Sequence, residues 1–202
     1  MNVAVLASGE GTNLQALLDR VHGTDGVEIV AVASDKPGAR ALERARRAGV
    51  PARVFPAAEY ASRVERDRAM ADWLAAHGVE LVVLAGYMQL LAGEFLDRFP
   101  GRVINVHPAL LPAFPGLEAV EQAIAYGVKV FGVTVHFVDG GVDTGPVILQ
   151  RAVELPDARD AEAVLKRLHP IEHELLPEAV RLIARDAVRI DPANPRRVVI
   201  ER

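Results

Sequence analysis

The sequence contains no cysteine among its 202 residues. Disulfide bonds, thiol nucleophiles and thiolate metal sites are therefore excluded. It also lacks any apolar run near the roughly 18 residues of a membrane span, and its first residues lack the positive segment of a signal peptide. We therefore expect a cytoplasmic protein that does not bind a membrane.

Positive charge is not in excess, because 27 acidic residues outnumber 23 basic ones and give a formal net charge of −4. A surface that binds nucleic acid usually carries clustered Lys and Arg. The charge balance therefore argues against nucleic acid as the principal partner. Hydrophobic residues make up 50% and charged residues 25% of the chain, which is typical of a globular protein rather than a disordered one.

Short apolar runs alternate with longer stretches of helical periodicity, the pattern of a parallel sheet covered by helices. Strands are predicted at residues 3–6, 29–33, 81–84, 103–106, 130–137 and 147–155. Helices are predicted at residues 12–21, 39–48, 59–77, 117–126 and 160–184, and a closing hairpin at residues 188–200. No repeat or linker divides the chain. We therefore expect a single Rossmann-like α/β domain over residues 1–202, with a mostly parallel twisted sheet and helices on both faces.

The glycine-rich segment of residues 8–13, Ser-Gly-Glu-Gly-Thr-Asn, lies between the first predicted strand and the first predicted helix. Open α/β sheets bind ligands beyond their strand ends, and a helix N-terminus attracts anions. Leu14 stands where a dinucleotide fingerprint needs a small residue, and no Gly-Lys-Ser/Thr follows. A single phosphate therefore fits this turn better than a pyrophosphate, although such turns also occur in α/β proteins that bind nothing there.

Three polar residues in the second half of the chain form a candidate catalytic group. Asn105 and His107 stand two positions apart at the end of a predicted strand, so their side chains project to the same face. An amide and an imidazole can donate to an oxyanion and exchange protons near neutral pH. Asp143, in a later Gly-rich acidic loop, would orient His107 and favour its protonated form.

Each of these residues also has a purely structural interpretation: a turn cap for Asn105, a core histidine for His107, and a loop acid bonded to its own backbone for Asp143. His136, on the strand before the loop, is interpreted as a core or loop-supporting residue. The chain has no Gly-x-Ser-x-Gly elbow and no cysteine. Direct attack by the substrate is therefore favoured over a covalent acyl-enzyme.

Five segments carry a family resemblance: VLASGEGTNLQA at residues 5–16, VLAGYM at 83–88, NVHPALLP at 105–112, PG at 115–116 and DTGPVI at 143–148. They resemble the folate-dependent phosphoribosylglycinamide formyltransferases, the glycinamide ribonucleotide transformylases of purine biosynthesis. The resemblance extends over nearly the whole chain. It implies an enzyme that uses 10-formyltetrahydrofolate as cosubstrate, acts on small molecules without a metal, and is a monomer or a homodimer.

The resemblance also implies roles for particular residues. Asn105, His107 and Asp143 would be catalytic. The ribonucleotide substrate would be bound by Gly11, Thr12, Asn13 and Glu172. The folate would be bound by Arg63, Met88, Gln89, Leu90, Leu91, Asn105, Asp139, Gly140, Gly141, Val142 and Asp143. Residues 1–100 would then form a phosphate- and nucleotide-binding half, and residues 101–202 a catalytic and folate-binding half that ends in the hairpin.

The chain departs from the family pattern at three positions near the predicted pocket. Ala113 stands where relatives often have Lys, and Gln89 stands where some relatives have Arg. Relatives often have His after the Pro-Gly, whereas this chain has Glu118 after Gly116-Leu117. These positions line approaches to the pocket rather than the reacting atoms. The departures therefore bear on substrate affinity more than on the chemistry.

Other functions compete with this interpretation. A formyltetrahydrofolate hydrolase shares the same trio but passes the formyl group to water, and the formyl transfer enzyme for initiator methionyl-tRNA is longer. A dinucleotide-binding Rossmann oxidoreductase would use the glycine turn and Asp35. His169-Pro170-Ile171-Glu172-His173 also matches a zinc protease pattern, for which the sequence offers no third ligand.

Overall fold

A computed structural model describes residues 1–201. The strands are β1 (Asn2–Leu6), β2 (Glu28–Ser34), β3 (Ala52–Val54), β4 (Leu81–Leu84), β5 (Val103–His107), β6 (Val130–Phe137), β7 (Val147–Glu154), β8 (Val188–Asp191) and β9 (Asn194–Ile200). The α-helices are α1 (Thr12–Arg20), α2 (Arg40–Arg47), α3 (Arg63–Ala76), α4 (Gly93–Arg98), α5 (Ala119–Tyr126) and α6 (Ala161–Ala184).

The first seven strands form one sheet in the order β3-β2-β1-β4-β5-β6-β7, and β8 and β9 form a separate hairpin. β1 pairs in parallel with β2 and β4, and β2 pairs in parallel with β3. β6 pairs antiparallel with β7, and β8 pairs antiparallel with β9 in the hairpin. The sheet core is almost entirely apolar, as expected for strands covered on both faces. The predicted α/β fold with a mostly parallel sheet is confirmed.

Contacts between Cα atoms group the chain into two compact units, one of residues 1–104 and one beginning at Asn105. The boundary therefore falls inside β5. Whether the chain behaves as a single domain stays a prediction. No helix within residues 1–201 has the length and apolar character needed to cross a membrane.

The predicted elements are present, with differences at their ends. The helix predicted at residues 59–77 is a short 3₁₀ turn (Ala57–Glu59) followed by α3, which begins where Ser62 Oγ accepts the N–H of Glu65. The helix predicted at residues 117–126 begins at Ala119 instead, because Glu118 adopts a left-handed conformation with φ 55°.

The predicted elements do not include β3 and α4. β3 has three residues and α4 has six, so neither is long enough to show a period. α4 is anchored by Phe95, whose side chain is fully buried.

Candidate active site

β5 brings two of the predicted catalytic residues to its carboxyl end. Val103 and Ile104 are buried, and they are followed by the half-buried Asn105 and the buried His107. The carboxyl ends of parallel strands are where α/β proteins bind ligands. Polar side chains at the end of a buried strand lose solvation unless they find partners. Here those partners come from β6, from the loop after it and from the turn after β5.

The loop between β6 and β7 holds Asp143 in a left-handed conformation with φ 51°, which aspartate tolerates better than most residues. The loop is closed on itself by Asp139, whose Oδ1 accepts the N–H of Gly141 at 3.0 Å and the hydroxyl of Thr144 at 2.5 Å. At Gly145 a Cβ would lie 1.8 Å from the carbonyl oxygen of Phe137. Only glycine therefore fits where the chain turns back into β7.

The side chains of the predicted trio converge on the Asp143 carboxylate. His107 Nδ1 lies 3.3 Å from Asp143 Oδ2, and Asn105 Nδ2 donates to Asp143 Oδ1 at 3.2 Å. The N–H of Gly116 also donates to Oδ2, at 2.8 Å. The structure thus brings together three residues that lie up to 38 positions apart in the sequence.

These contacts determine the charge state of Asp143. Burial raises the pKa of its carboxyl, but the hydrogen bonds from His136 and Gly116 and the charges of His107 and His136 outweigh burial. The pKa of Asp143 therefore lies below its ordinary value, and the side chain is an anion at neutral pH.

His107 makes a second contact that the sequence did not indicate. Its Nε2 lies 2.8 Å from the carbonyl oxygen of Phe114, a residue with φ 54° in the turn after β5. Both ring nitrogens thus face oxygen atoms that can only accept hydrogen bonds. The imidazolium form, which carries a hydrogen on each nitrogen, satisfies both contacts at once.

His136 belongs to the same cluster, although sequence reasoning treated it as a core or loop-supporting residue. It is buried, and its Nε2 lies 3.2 Å from Asn105 Nδ2 and 3.5 Å from Asp143 Oδ1. Its Nδ1 lies 2.7 Å from the carbonyl oxygen of Phe137, which can only accept, so Nδ1 carries a hydrogen. The available signal was a histidine at the carboxyl end of a strand that leads directly into the Asp143 loop.

The glycine turn lies in the first unit, between β1 and α1. Gly11 has φ 71°, and a Cβ there would lie 2.7 Å from the Cα of Ala41, so the turn requires glycine. Thr12 and Asn13 form the first turn of α1, whose N-terminus favours an anion. Basic side chains flank the turn, because Arg40 pairs with the Glu10 carboxylate at 2.9 Å and Arg44 donates to the Glu10 carbonyl at 2.8 Å.

Residues 1–180 match the family model described as formyl transferase. The chain is 41% identical over 179 residues to phosphoribosylglycinamide formyltransferase of Bacillus subtilis, covering 88% of this chain and 92% of that protein. It is 46% identical over 188 residues to the enzyme of the same name from Mycobacterium tuberculosis, covering 93% and 87%. The chain belongs to the formyl transferase family. The crystal structure of glycinamide ribonucleotide transformylase 1 from Symbiobacterium toebii superimposes on this formyl transferase with a TM-score of 0.95 at 50% identity, covering 100% of this chain and 94% of that one.

The remaining predicted site residues of this formyl transferase lie in both units. In the first, Arg63 is exposed at the start of α3, and Met88 and Leu90 are exposed after β4 while Gln89 and Leu91 are half-buried. In the second, Glu172 is buried on α6. The predicted loop residues Asp139, Gly140, Gly141 and Val142 are exposed beside Asp143.

The residues on which the dinucleotide-enzyme and zinc-protease interpretations depend have other contacts in the structure. The carboxylate of Asp35, which a dinucleotide enzyme would use for ribose, instead accepts the hydroxyl of Ser8 at 2.5 Å and is nearly buried. The rings of His169 and His173 stack with centroids 6.3 Å apart. Within residues 1–201 there is no group of three or more His, Asp or Glu side chains arranged to hold a metal ion.

Proposed function

We propose that this enzyme transfers the formyl group of 10-formyltetrahydrofolate to the primary amine of glycinamide ribonucleotide, a step of purine biosynthesis in the cytoplasm. The observation that carries the proposal is the convergence of Asn105, His107 and Asp143 in a chain of the formyl transferase family. Direct acyl transfer to an amine requires hydrogen-bond donors that stabilise the oxyanion and a group that assists proton transfer. Two N–H donors beside an ionised carboxylate can supply both.

The ribonucleotide phosphate is assigned to Gly11, Thr12 and Asn13. Gly11 is the left-handed N-cap of α1, and Arg40 offsets the nearby negative charge of Glu10. One phosphate, rather than a pyrophosphate, suits a turn that continues into Leu14. Glu172 is assigned to the glycinamide end, where a carboxylate attracts an amine.

The folate is assigned to Arg63, to residues 88–91 and to residues 139–143. Met88 and Leu90 offer exposed apolar side chains of the kind that pack against a flat ring. The loop of residues 139–143 supplies backbone polar groups and ends in Asp143.

The reaction begins when the lone pair of the substrate amine attacks the formyl carbon, so the carbonyl π electrons move onto the formyl oxygen. Asn105 Nδ2 and His107 Nε2 stabilise that oxyanion by donating hydrogen bonds. To do so, Asn105 gives up its contact with the Asp143 or His136 side chain, and His107 gives up its contact with the Phe114 carbonyl. The formyl oxygen takes the place of these partners. The intermediate then collapses, the bond to the folate nitrogen breaks, and Asp143 assists the proton transfer from the attacking amine to the departing nitrogen.

The test is to incubate the purified enzyme with glycinamide ribonucleotide and 10-formyltetrahydrofolate, and to measure the formylated ribonucleotide by mass spectrometry. We expect product only when both substrates are present. Consumption of the folate at the same rate without the amine would instead identify a hydrolase. Because a single oxyanion donor is typically worth about 10²–10³ in rate, His107→Ala should lose activity on that scale while still folding. Near-native turnover of His107→Ala would overturn the catalytic assignment.

A further inference from the structure

The second turn of the long helix α3 contains a buried ion pair. Arg66 is 2% exposed and Asp67 is 0% exposed. Arg66 Nε donates to Asp67 Oδ1 at 2.8 Å, and Nη2 lies 2.7 Å from the same oxygen. Two charges inside a protein lose much solvation energy, and their mutual attraction often fails to offset that loss. A pair of this kind therefore calls for an explanation other than stability.

The remaining polar atoms of the pair contact a different part of the chain, residues 88–92 after β4. Asp67 Oδ2 accepts the backbone N–H of Ala92 at 2.7 Å. Arg66 Nη1 donates to the side-chain oxygen of Gln89 at 3.3 Å. The pair thus holds the middle and the far end of this segment.

The near end of the segment is held by another buried group. Ser8 Oγ accepts the N–H of Met88 at 2.9 Å and itself donates to Asp35. Between these attachments, Met88 is 54% and Leu90 is 58% exposed. The segment therefore presents two apolar side chains from a backbone that is fixed at residues 88 and 92. A surface that is already ordered loses less conformational entropy when a ligand binds.

The contact with Arg66 also determines which way the Gln89 amide faces. A guanidinium can only donate, so the amide must turn its oxygen toward Arg66. The two N–H donors of the amide lie on its other side. A ligand group that meets Gln89 there must be an acceptor, such as a carbonyl or a carboxylate. An arginine at position 89, as some relatives carry, would place two guanidinium groups together, so Arg66 gives a physical reason for Gln89.

We propose that Arg66 and Asp67 are positioning residues for the formyl donor: they fix residues 88–91 and hold Gln89 as a hydrogen-bond donor toward an acceptor group of the folate. The inference rests on the proposed function, because that function assigns residues 88–91 to the folate. The inference adds two buried residues, Arg66 and Asp67, whose side chains contact residues 88–92 and which no sequence motif indicated.

The main test replaces the pair by apolar residues of similar volume, Arg66→Met with Asp67→Leu. Such replacements of buried ion pairs often preserve or increase stability, so the double variant should fold. We expect the KM for 10-formyltetrahydrofolate and the Kd for tetrahydrofolate to rise about tenfold, the effect of losing one or two hydrogen bonds to charged groups. The KM for the ribonucleotide and kcat should stay within about twofold.

The matched control is Arg68→Met with Asp72→Leu, which removes the same two charges from exposed positions of the same helix. This control should leave every constant unchanged. A second variant, Gln89→Glu, keeps an acceptor for Arg66 but removes the outward donors. It lies at a half-buried position, so it should fold and should also raise the folate KM.

Two results would overturn the inference while leaving the proposed function intact. One is an unchanged folate KM in the folded double variant or in Gln89→Glu. The other is an equal loss in both KM values and kcat that follows the melting temperature, which would mean a structural role only. Absence of formyl transfer by the unaltered enzyme would instead reject the proposed function itself.

Discussion

Gly116 donates its backbone N–H to Asp143 Oδ2 at 2.8 Å across 27 positions of sequence. This hydrogen bond joins the turn after β5 to the loop after β6 and is one of the contacts that lower the pKa of Asp143. A carboxyl whose pKa is lower in the folded than in the unfolded state stabilises the fold above its unfolded pKa. That contribution is lost as pH falls through the folded-state pKa.

The first prediction concerns this pH dependence. From about pH 5 downward, as the pH falls through the folded-state pKa of Asp143, the free energy of unfolding of the unaltered enzyme should fall more steeply than that of Asp143→Asn, because the amide has no proton to gain. The two curves should converge at the acid end, since protonation removes what the substitution removes. Chemical denaturation at a series of pH values measures both. Parallel curves would show that Asp143 is not held as an anion.

The second prediction concerns His136, which contacts both Asn105 and Asp143. His136→Phe should lower kcat about fivefold, because Asp143 loses a hydrogen-bond donor worth about 1 kcal/mol. The KM for the ribonucleotide should change little. Steady-state kinetics measures both constants, and His136→Gln should recover part of kcat through its amide. Equal losses in the two variants would point to packing rather than hydrogen bonding.

The third prediction concerns the glycines of the catalytic loop. At Gly145 a Cβ would meet the Phe137 carbonyl oxygen at 1.8 Å, whereas at Gly140 no heavy atom lies within 4 Å of the added carbon. Gly145→Ala should cost about 3 kcal/mol or more of unfolding free energy, the upper end of what overpacking costs. Gly140→Ala should be nearly neutral. Thermal unfolding of the two variants decides the matter, and equal melting temperatures would contradict the geometry.

The fourth prediction concerns Arg196 of the hairpin, whose Nη1 donates to the carbonyl oxygen of Thr144 at 2.6 Å. Arg196 also lines, with Asp143, a cavity of about 500 Å³. Arg196→Ala should lower kcat about two- to fivefold, since an exposed hydrogen bond contributes about 0.5–1 kcal/mol to holding the loop. Arg197→Ala, which removes a weaker pairing with Asp191 at 3.7 Å, is the matched control. Identical kcat values would exclude a role for Arg196.

Much of the fold follows from the sequence because β4 is a continuous apolar run and β6 is mostly apolar, and the bounds predicted for both strands agree with the structure. Elements fixed by tertiary contacts were not predictable. α4 begins at glycine and depends on burying Phe95, and the start of α5 depends on the conformation of Glu118. Neither property appears in local periodicity.

The convergence of the trio could be expected from sequence because Asn105 and His107 are polar residues at the end of a buried strand and Asp143 lies in a Gly-rich acidic loop. Their immediate partners could not. The Phe114 carbonyl and the Gly116 N–H are backbone groups, which any residue would supply and no motif marks. His136 had a plausible place in the core, and only its distance to Asp143 reveals its second contact.

The buried Arg66–Asp67 pair also constrains how this protein can change over generations. Loss of either partner alone would leave an unpaired charge in the core and lower the free energy of unfolding by about 3–5 kcal/mol. The whole free energy of unfolding of a typical protein is only about 5–15 kcal/mol. Loss of both is nearly neutral for folding stability. A lineage can therefore leave this state only through an almost simultaneous double substitution, and positions 66 and 67 should vary together among descendants of this sequence.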